Sequence, residues 1–243
     1  MIDNTIQESS SKPLHHIFTD IPEHYDLINH IITLGMDNSW RQKAALACLL
    51  SHPARILDLC CGTGDLTISL ARLAQYLPEI TGVDFSQPML EMAKRKAALS
   101  AKSGNIRFIQ ADVSLLPFPN GYFDCVSISF AFRNLTYKNP MALNYLGEIL
   151  RVLKPGGEFI IIESSQPRSA FIRYFHHLYL RWFVFPAGFI ISRNKSAYRY
   201  LTESAARFFS AEEAQQFLIK AGFRHASQQR LFLGAVAIYT AIR

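Results

Sequence analysis

Ile56-Leu57-Asp58-Leu59-Cys60-Cys61-Gly62-Thr63-Gly64-Asp65 reads as a short apolar strand that runs into a glycine-rich turn and opens a helix. Glycine permits the left-handed backbone such a turn needs, and amides at a helix N-terminus can face a ligand closely. A dinucleotide fingerprint requires a third glycine where this chain has Thr67, because that glycine lets helix and strand pack closely over a pyrophosphate. Its absence argues against NAD or FAD. On either side of the turn, residues 55 to 163 repeat one theme, a short apolar run followed by a longer helical pattern. The runs at 55–59, 79–83, 106–109, 123–129 and 158–162 have βαβ rhythm, and the last is almost continuously apolar, as a strand buried on both faces should be. Helix signals lie between them. Ser86 is expected to cap a helix around 89–98, Asn139-Pro140 to open another, and Lys154-Pro155-Gly156-Gly157 to stop it. Further on, Ser210 with Glu213 makes a capping box, and Gly222 closes that helix before strand-like runs at 223–230 and 235–242.

The second run ends Thr81-Gly82-Val83-Asp84-Phe85-Ser86, which places a carboxylate 20 residues beyond Gly64. At a strand's carboxyl end such an acid can accept both hydroxyls of a ribose. A third strand ends Gln110-Ala111-Asp112-Val113 and a fourth Ser127-Ile128-Ser129-Phe130, so in an open α/β sheet all four termini border one crevice. Over residues 55–163 this arrangement resembles class I S-adenosylmethionine (SAM) methyltransferases. The resemblance implies a Rossmann-like α/β fold: a seven-stranded, mostly parallel sheet with helices on both faces and an antiparallel last strand. It implies SAM as cofactor, with Gly62, Thr63 and Gly64 at its methionine end and Asp58 orienting its amino group. Asp84 would take the ribose, Asp112 and Val113 the adenine, and Ser129 the start of the methyl-transfer pocket.

Motifs at the edges of the chain are more specific. Phe18-x-x-Ile21-Pro22-x-x-Tyr25-Asp26-Leu27-x-Asn29, Thr33-Leu34-Gly35, Trp40-Arg41, Leu116-Pro117-Phe118-Pro119, Phe132-Arg133-Asn134 and Tyr198-Arg199-Tyr200-Leu201-x-Glu203-Ser204 are similar to the signatures of the ubiquinone/menaquinone biosynthesis C-methyltransferase family. Departures occur at Cys60 and Cys61, at Ala131-Phe132, at Glu163-Ser164-Ser165 and at Tyr239. The resemblance implies methyl transfer to a ring carbon of a prenylated quinol, demethylmenaquinol to menaquinol, with the benzoquinol precursor of ubiquinone as the alternative acceptor. Such a carbon is a poor nucleophile until a neighbouring hydroxyl loses its proton, and general-base help is typically worth about 10²–10⁴-fold. Arg133 is expected to stabilise the developing phenolate and Asn134 to orient the ring, with Tyr25 or Asp26 positioning a water that takes the proton.

The chain's 243 residues, 49% hydrophobic, can fill one large α/β core, and no stretch approaches the ~20 apolar residues of a membrane span. One domain over 1–243 is expected: a helical lead-in at 1–54, a SAM-binding core at 55–163, a helical lid at 164–209 and a closing helix and strand pair at 210–243. Four cysteines without a C-x-x-C pair, and a start without a secretion signal, point to free thiols in a cytoplasmic setting. Of the net charge of +6, residues 168–200 supply six cations (Arg168, Arg173, Arg181, Arg193, Lys195, Arg199) and no acid, together with ten of the 30 aromatic residues. The chain lacks Asn-Pro-Pro-Tyr and Pro-Cys runs, and its basic patch is also its most apolar segment, so no nucleic-acid partner is expected. The patch reads instead as a lid for a polyprenyl tail, lying on an anionic membrane at the inner face of the cytoplasmic membrane through Trp182 and Phe185. His15-His16 and His176-His177 lack metal-ligand spacing, and no metal is expected. Monomer and homodimer both remain open.

Overall fold

A computed structural model describes residues 22–243 apart from 101 and 103, with side chains described from residue 26 onward. Seven strands, β1 (Arg55–Leu59), β2 (Glu79–Asp84), β3 (Ile106–Gln110), β4 (Phe123–Ser129), β5 (Leu153–Ser164), β6 (His225–Leu231) and β7 (Val236–Ile242), form one sheet in the order β3-β2-β1-β4-β5-β7-β6. Pairing is parallel from β3 through β5, and β7 runs antiparallel to both β5 and β6. The chain leaves β1 toward β2 and β3 and returns to β4 on its other side, so a crevice opens beyond the carboxyl ends of β1 and β4.

Successive strand residues point to opposite faces, and both faces are covered. Ile56, Ile80 and Ile160 meet Trp40 and Ala44 of α2 (Asp37–Leu49) and Leu66 and Leu70 of α3 (Asp65–Leu73). On the other face, Leu57, Val126 and Phe159 meet Leu146 and Ile149 of α6 (Ala142–Val152) and Ala214 and Leu218 of α10 (Ala211–Lys220). Between these lie α4 (Gln87–Ala98) and the short α5 (Phe132–Thr136), and α1 (Pro22–Ile32) precedes them all. The segment expected to form a lid is helical. In it α7 (Ala170–Tyr179) passes through a π-helical segment, Leu180–Val184, into α8 (Phe185–Ser192), and α9 (Lys195–Ala206) follows. Pro186 falls in the first turn of α8, where its missing N–H is tolerated. Arg193 takes a left-handed φ of 55° to end that helix, and the Asn194 side chain accepts the Ala197 amide to start α9.

Local expectations needed correction at four places. Ser86 precedes α4, but its hydroxyl makes no cap bond; its amide donates instead to Asp84 Oδ1 at 2.9 Å. The helix expected at Asn139-Pro140 begins at Ala142, because Asn139 Oδ1 accepts the Met141 amide in a side-chain turn just upstream. Lys154-Pro155-Gly156-Gly157 follows the helix's end at Val152, as expected, but the strand expected from 158 already begins at Leu153 and takes this run in. It forms a bulge within β5, where the register with β4 jumps from Phe123↔Leu153 to Cys125↔Glu158. Phe185, expected on the lid's outer surface beside Trp182, packs inward against Ile28, Ala197 and Tyr198, while Trp182 is 70% exposed. The capping box at Ser210 and Glu213 forms as read. All four cysteines are free, and among the described residues no helix is long and apolar enough to cross a membrane.

Candidate active site

The glycine turn is built by close approach. Gly64 has φ 83°, and a Cβ there would meet the Ala93 Cβ of α4 at 3.0 Å. A Cβ at Gly62 would meet nothing within 4 Å, so the space above that residue is open. The Gly62 amide donates to Asp84 Oδ2 at 2.9 Å, which locks the turn to the end of β2. Asp58, buried in β1, accepts the Thr67 hydroxyl at 2.6 Å and the Ser127 hydroxyl at 2.9 Å. Burial pushes its carboxyl up to about 6, with the two hydroxyls pulling the other way. Thr67, in the place of a third glycine, thus spends its hydroxyl on Asp58.

Around Thr63 runs an ionic chain. Its hydroxyl donates to Asp26 Oδ1 of α1 at 2.7 Å, and Lys96 Nζ of α4 donates to Asp26 Oδ2 at 2.8 Å and to the Thr63 oxygen at 3.1 Å while pairing with Asp65. Asp112 is exposed, with Oδ1 accepting the Ser114 amide at 2.7 Å; Val113 beside it is buried. The Ser129 hydroxyl, at the carboxyl end of β4, is buried without a partner among the described residues.

Phe130 follows with a left-handed φ of 54°, and there the chain turns into a cavity of about 390 Å³. Phe130, Arg133, Asn134 and Ser164 supply its sheet side, α1 and α2 one wall, and α7 and α9 another. Its walls are mainly apolar, but two buried ion pairs border it. Arg133 Nη1 donates to Glu163 Oε1 at 2.9 Å and to the Ser164 hydroxyl at 2.5 Å, and the Arg133 amide donates to Glu163 Oε2 at 2.9 Å. The Arg133 Nε has no partner among the described residues. Arg41 Nη1 donates to Asp37 Oδ2 at 2.6 Å. Burial disfavours the Asp37 charge, yet the Arg41 charge and the hydrogen bonds from Arg41, His30 and Thr33 prevail and hold the carboxyl below its usual range. Arg41 also lies 3.7 Å from Asp65 and 5.7 Å from the Phe130 ring centre, so α2 joins the cavity to the glycine turn.

Of the residues read from sequence, Gly62, Thr63, Gly64, Asp58 and Asp84 gather at one turn, and Ser129, Arg133 and Asn134 lead from it to the cavity. Asp26 is not among the residues lining that cavity; it is held at the turn by Thr63 and Lys96. The Tyr25 side chain and His15-His16 lie outside the described residues. Sequence reasoning missed Asp37 and Glu163 as members of ion pairs. The signals were present, an acid four residues before Arg41 on a helix and an acid ending an otherwise apolar strand. It also missed Phe232 and Leu233, which line the cavity from the β6–β7 connection with φ of 42° and 55°.

Residues 6–243 match the model of the ubiE/COQ5 methyltransferase family. A demethylmenaquinone methyltransferase of Lactobacillus johnsonii is 38% identical, over 96% of this chain and 93% of its own length. One from Thermus thermophilus is 39% identical over 93% of this chain and 100% of its own. The ubiquinone/menaquinone biosynthesis C-methyltransferase UbiE of Pseudomonas fluorescens is 31% identical over 99% and 92%. Among solved structures, a SAM-dependent methyltransferase from Thermotoga maritima superposes with a TM-score of 0.62 at 20% identity, covering 93% of this chain and 98% of that one, a likeness of fold.

Proposed function

Since the chain belongs to the ubiE/COQ5 methyltransferase family, we propose that it is a SAM-dependent C-methyltransferase that converts demethylmenaquinol to menaquinol. The observation that carries this reading is the cavity beyond Ser129, apolar in its walls yet bordered by the buried Arg133–Glu163 pair. The residues at the crevice fit SAM: open space above Gly62, a carboxylate at the end of β2, and a buried Ser129 hydroxyl without a partner among the described residues at the end of β4. When bound there, SAM supplies an electrophilic methyl group. The turn at Gly62, Thr63 and Gly64 holds the methionine end, Asp58 favours the amino group through the hydroxyls it holds, Asp84 takes the ribose, and Asp112 and Val113 border the adenine. Asp26 and Lys96 brace this turn.

In the cavity, Arg133 faces the oxygen on which negative charge grows as the ring hydroxyl gives up its proton ahead of methyl transfer, and Glu163 fixes the guanidinium in place. Preorganised charge in a site shielded from water stabilises such an oxyanion without reorganisation. Asn134 orients the ring, and alignment of donor and acceptor at ~3–3.5 Å supplies much of the remaining rate. The helices α7 to α9 receive the prenyl tail and rest on the anionic inner face of the cytoplasmic membrane, with five of the six lid cations exposed. The experiment is transfer from labelled SAM to demethylmenaquinol, to the benzoquinol precursor and to RNA. Label in the naphthoquinol is expected. Label in RNA, or in no quinol, would overturn the reading, and preference for the benzoquinol would change the acceptor.

A further inference from the structure

His176 lies on α7 and lines the same cavity as Arg133, Asn134 and Ser164. Its neighbour His177 bonds Gln166 Oε1 at 3.0 Å, whereas the buried His176 Nδ1 has no hydrogen-bond partner among the described residues. A buried polar group left unpaired costs about 1–3 kcal/mol, and native proteins rarely keep one without a use. A second such atom, the Arg133 Nε, belongs to another residue lining this cavity. Burial, with His177 adding to it, pushes the His176 imidazole down to about 4. The ring is therefore neutral near pH 7, with one nitrogen a donor and the other an acceptor.

We propose that His176 is a binding residue for the acceptor ring, hydrogen-bonding one of its hydroxyls from the lid side of the cavity. This rests on the cavity being the acceptor site. A cavity with mainly apolar walls distinguishes a hydroxylated ring from an apolar one only through such placed polar groups, since a buried partner left unpaired penalises the ligand that lacks the hydroxyl. His176 would then give the lid a part in ring recognition as well as in tail binding.

The test compares binding of menadiol with that of its dimethyl ether, under anaerobic conditions, in the wild type, His176→Phe and His177→Phe. The wild type is expected to prefer menadiol by on the order of 10-fold, and His177→Phe to keep that preference. His176→Phe should bind both rings with nearly the ether's affinity while its SAM affinity, read by calorimetry, stays within about 2-fold. Full preference in His176→Phe overturns the proposal, as does an equal loss in His177→Phe. A wild type that binds neither ring rejects the cavity as acceptor site, which is a different failure. If the Phe variant does not fold, His176→Leu carries the same arms with a smaller side chain.

Discussion

In the proposed function Asp58 meets two opposed demands, a buried place in the central strand and a charge for the cofactor's amino end. Its folded pKa of about 6 stands above the ~3.9 of an unfolded aspartate, so between those values the folded chain binds the proton more tightly. Stability must then fall as pH rises from ~4 to ~6 and level off above, by on the order of 3 kcal/mol from this group. Asp58→Asn should flatten that part of the profile, because Thr67 or Ser127 can turn its hydroxyl to accept from the amide; urea midpoints at several pH values give the comparison. Asp84 is the simpler case. Removing a carboxylate that accepts ribose hydroxyls should weaken SAM by on the order of 10–100-fold, and calorimetry on folded Asp84→Ala that finds affinity unchanged rejects the placement. Arg133 calls for two variants. Arg133→Ala strands the buried Glu163 and should cost about 3–5 kcal/mol whatever the chemistry. Arg133→Met with Glu163→Gln removes both charges and keeps one acceptor oxygen, enough for one of the two backbone amides, at 133 and 164, that Glu163 holds on separate oxygens, and should recover part of that stability. Turnover should remain lost in the double variant with SAM binding kept. If turnover survives, the ion pair is a structural strut.

The elements differ in how far local sequence specified them. The glycine turn, Asp84 and the capping box were readable because each is a short-range device: a backbone conformation, a strand end, a bond three residues long. Glu163 and Arg133 were not readable as a pair, since they stand 30 residues apart and meet only because α5 folds back over the end of β5. The bulge in β5 was hidden for a related reason, as its glycines signal a turn equally well inside a strand or outside one. In the lid, composition gave the apolar character but not which residues face inward, and Phe185 shows this directly. Here one glycine is decisive. A Cβ at Gly188 of α8 would come within 1.9 Å of the Tyr198 ring of α9, so the two helices pack only through its absence. Overpacking of this kind typically costs 1–3 kcal/mol. Gly188→Ala should loosen α8 and α9, seen as faster hydrogen exchange in those helices, raise KM for a long-tailed quinol, and leave SAM affinity nearly unchanged. Unaltered exchange in α8 and α9 would mean that the lid repacks without loss.

For the molecule as a whole, the decisive asymmetry is where its charge lies. Outside residues 168–200 the chain holds 19 basic and 19 acidic residues, so the +6 is carried by the lid. There Arg168, Arg181, Arg193, Lys195 and Arg199 are exposed, and none of them pairs with a carboxylate among the described residues. Around them Phe171, Tyr174, Trp182 and Ile190 stand 62–72% exposed, although buried apolar side chains were available in the core to receive them. The proposed contact with lipid would use both parts. Each cation near an anionic surface is worth about 1 kcal/mol and is screened within ~8 Å at physiological salt, so sedimentation with anionic vesicles should exceed that with neutral ones and decline as salt rises. Apolar contact is not screened, at roughly 25 cal/mol per Å² buried. Trp182→Ala with Ile190→Ala should therefore reduce retention even at low salt, while Arg181→Gln with Arg199→Gln should reduce mainly its salt-sensitive part. Equal binding to anionic and neutral vesicles, with the Trp182 and Ile190 variant kinetically normal on a long-tailed quinol, would leave this face without a membrane role and the cavity to draw its substrate from solution.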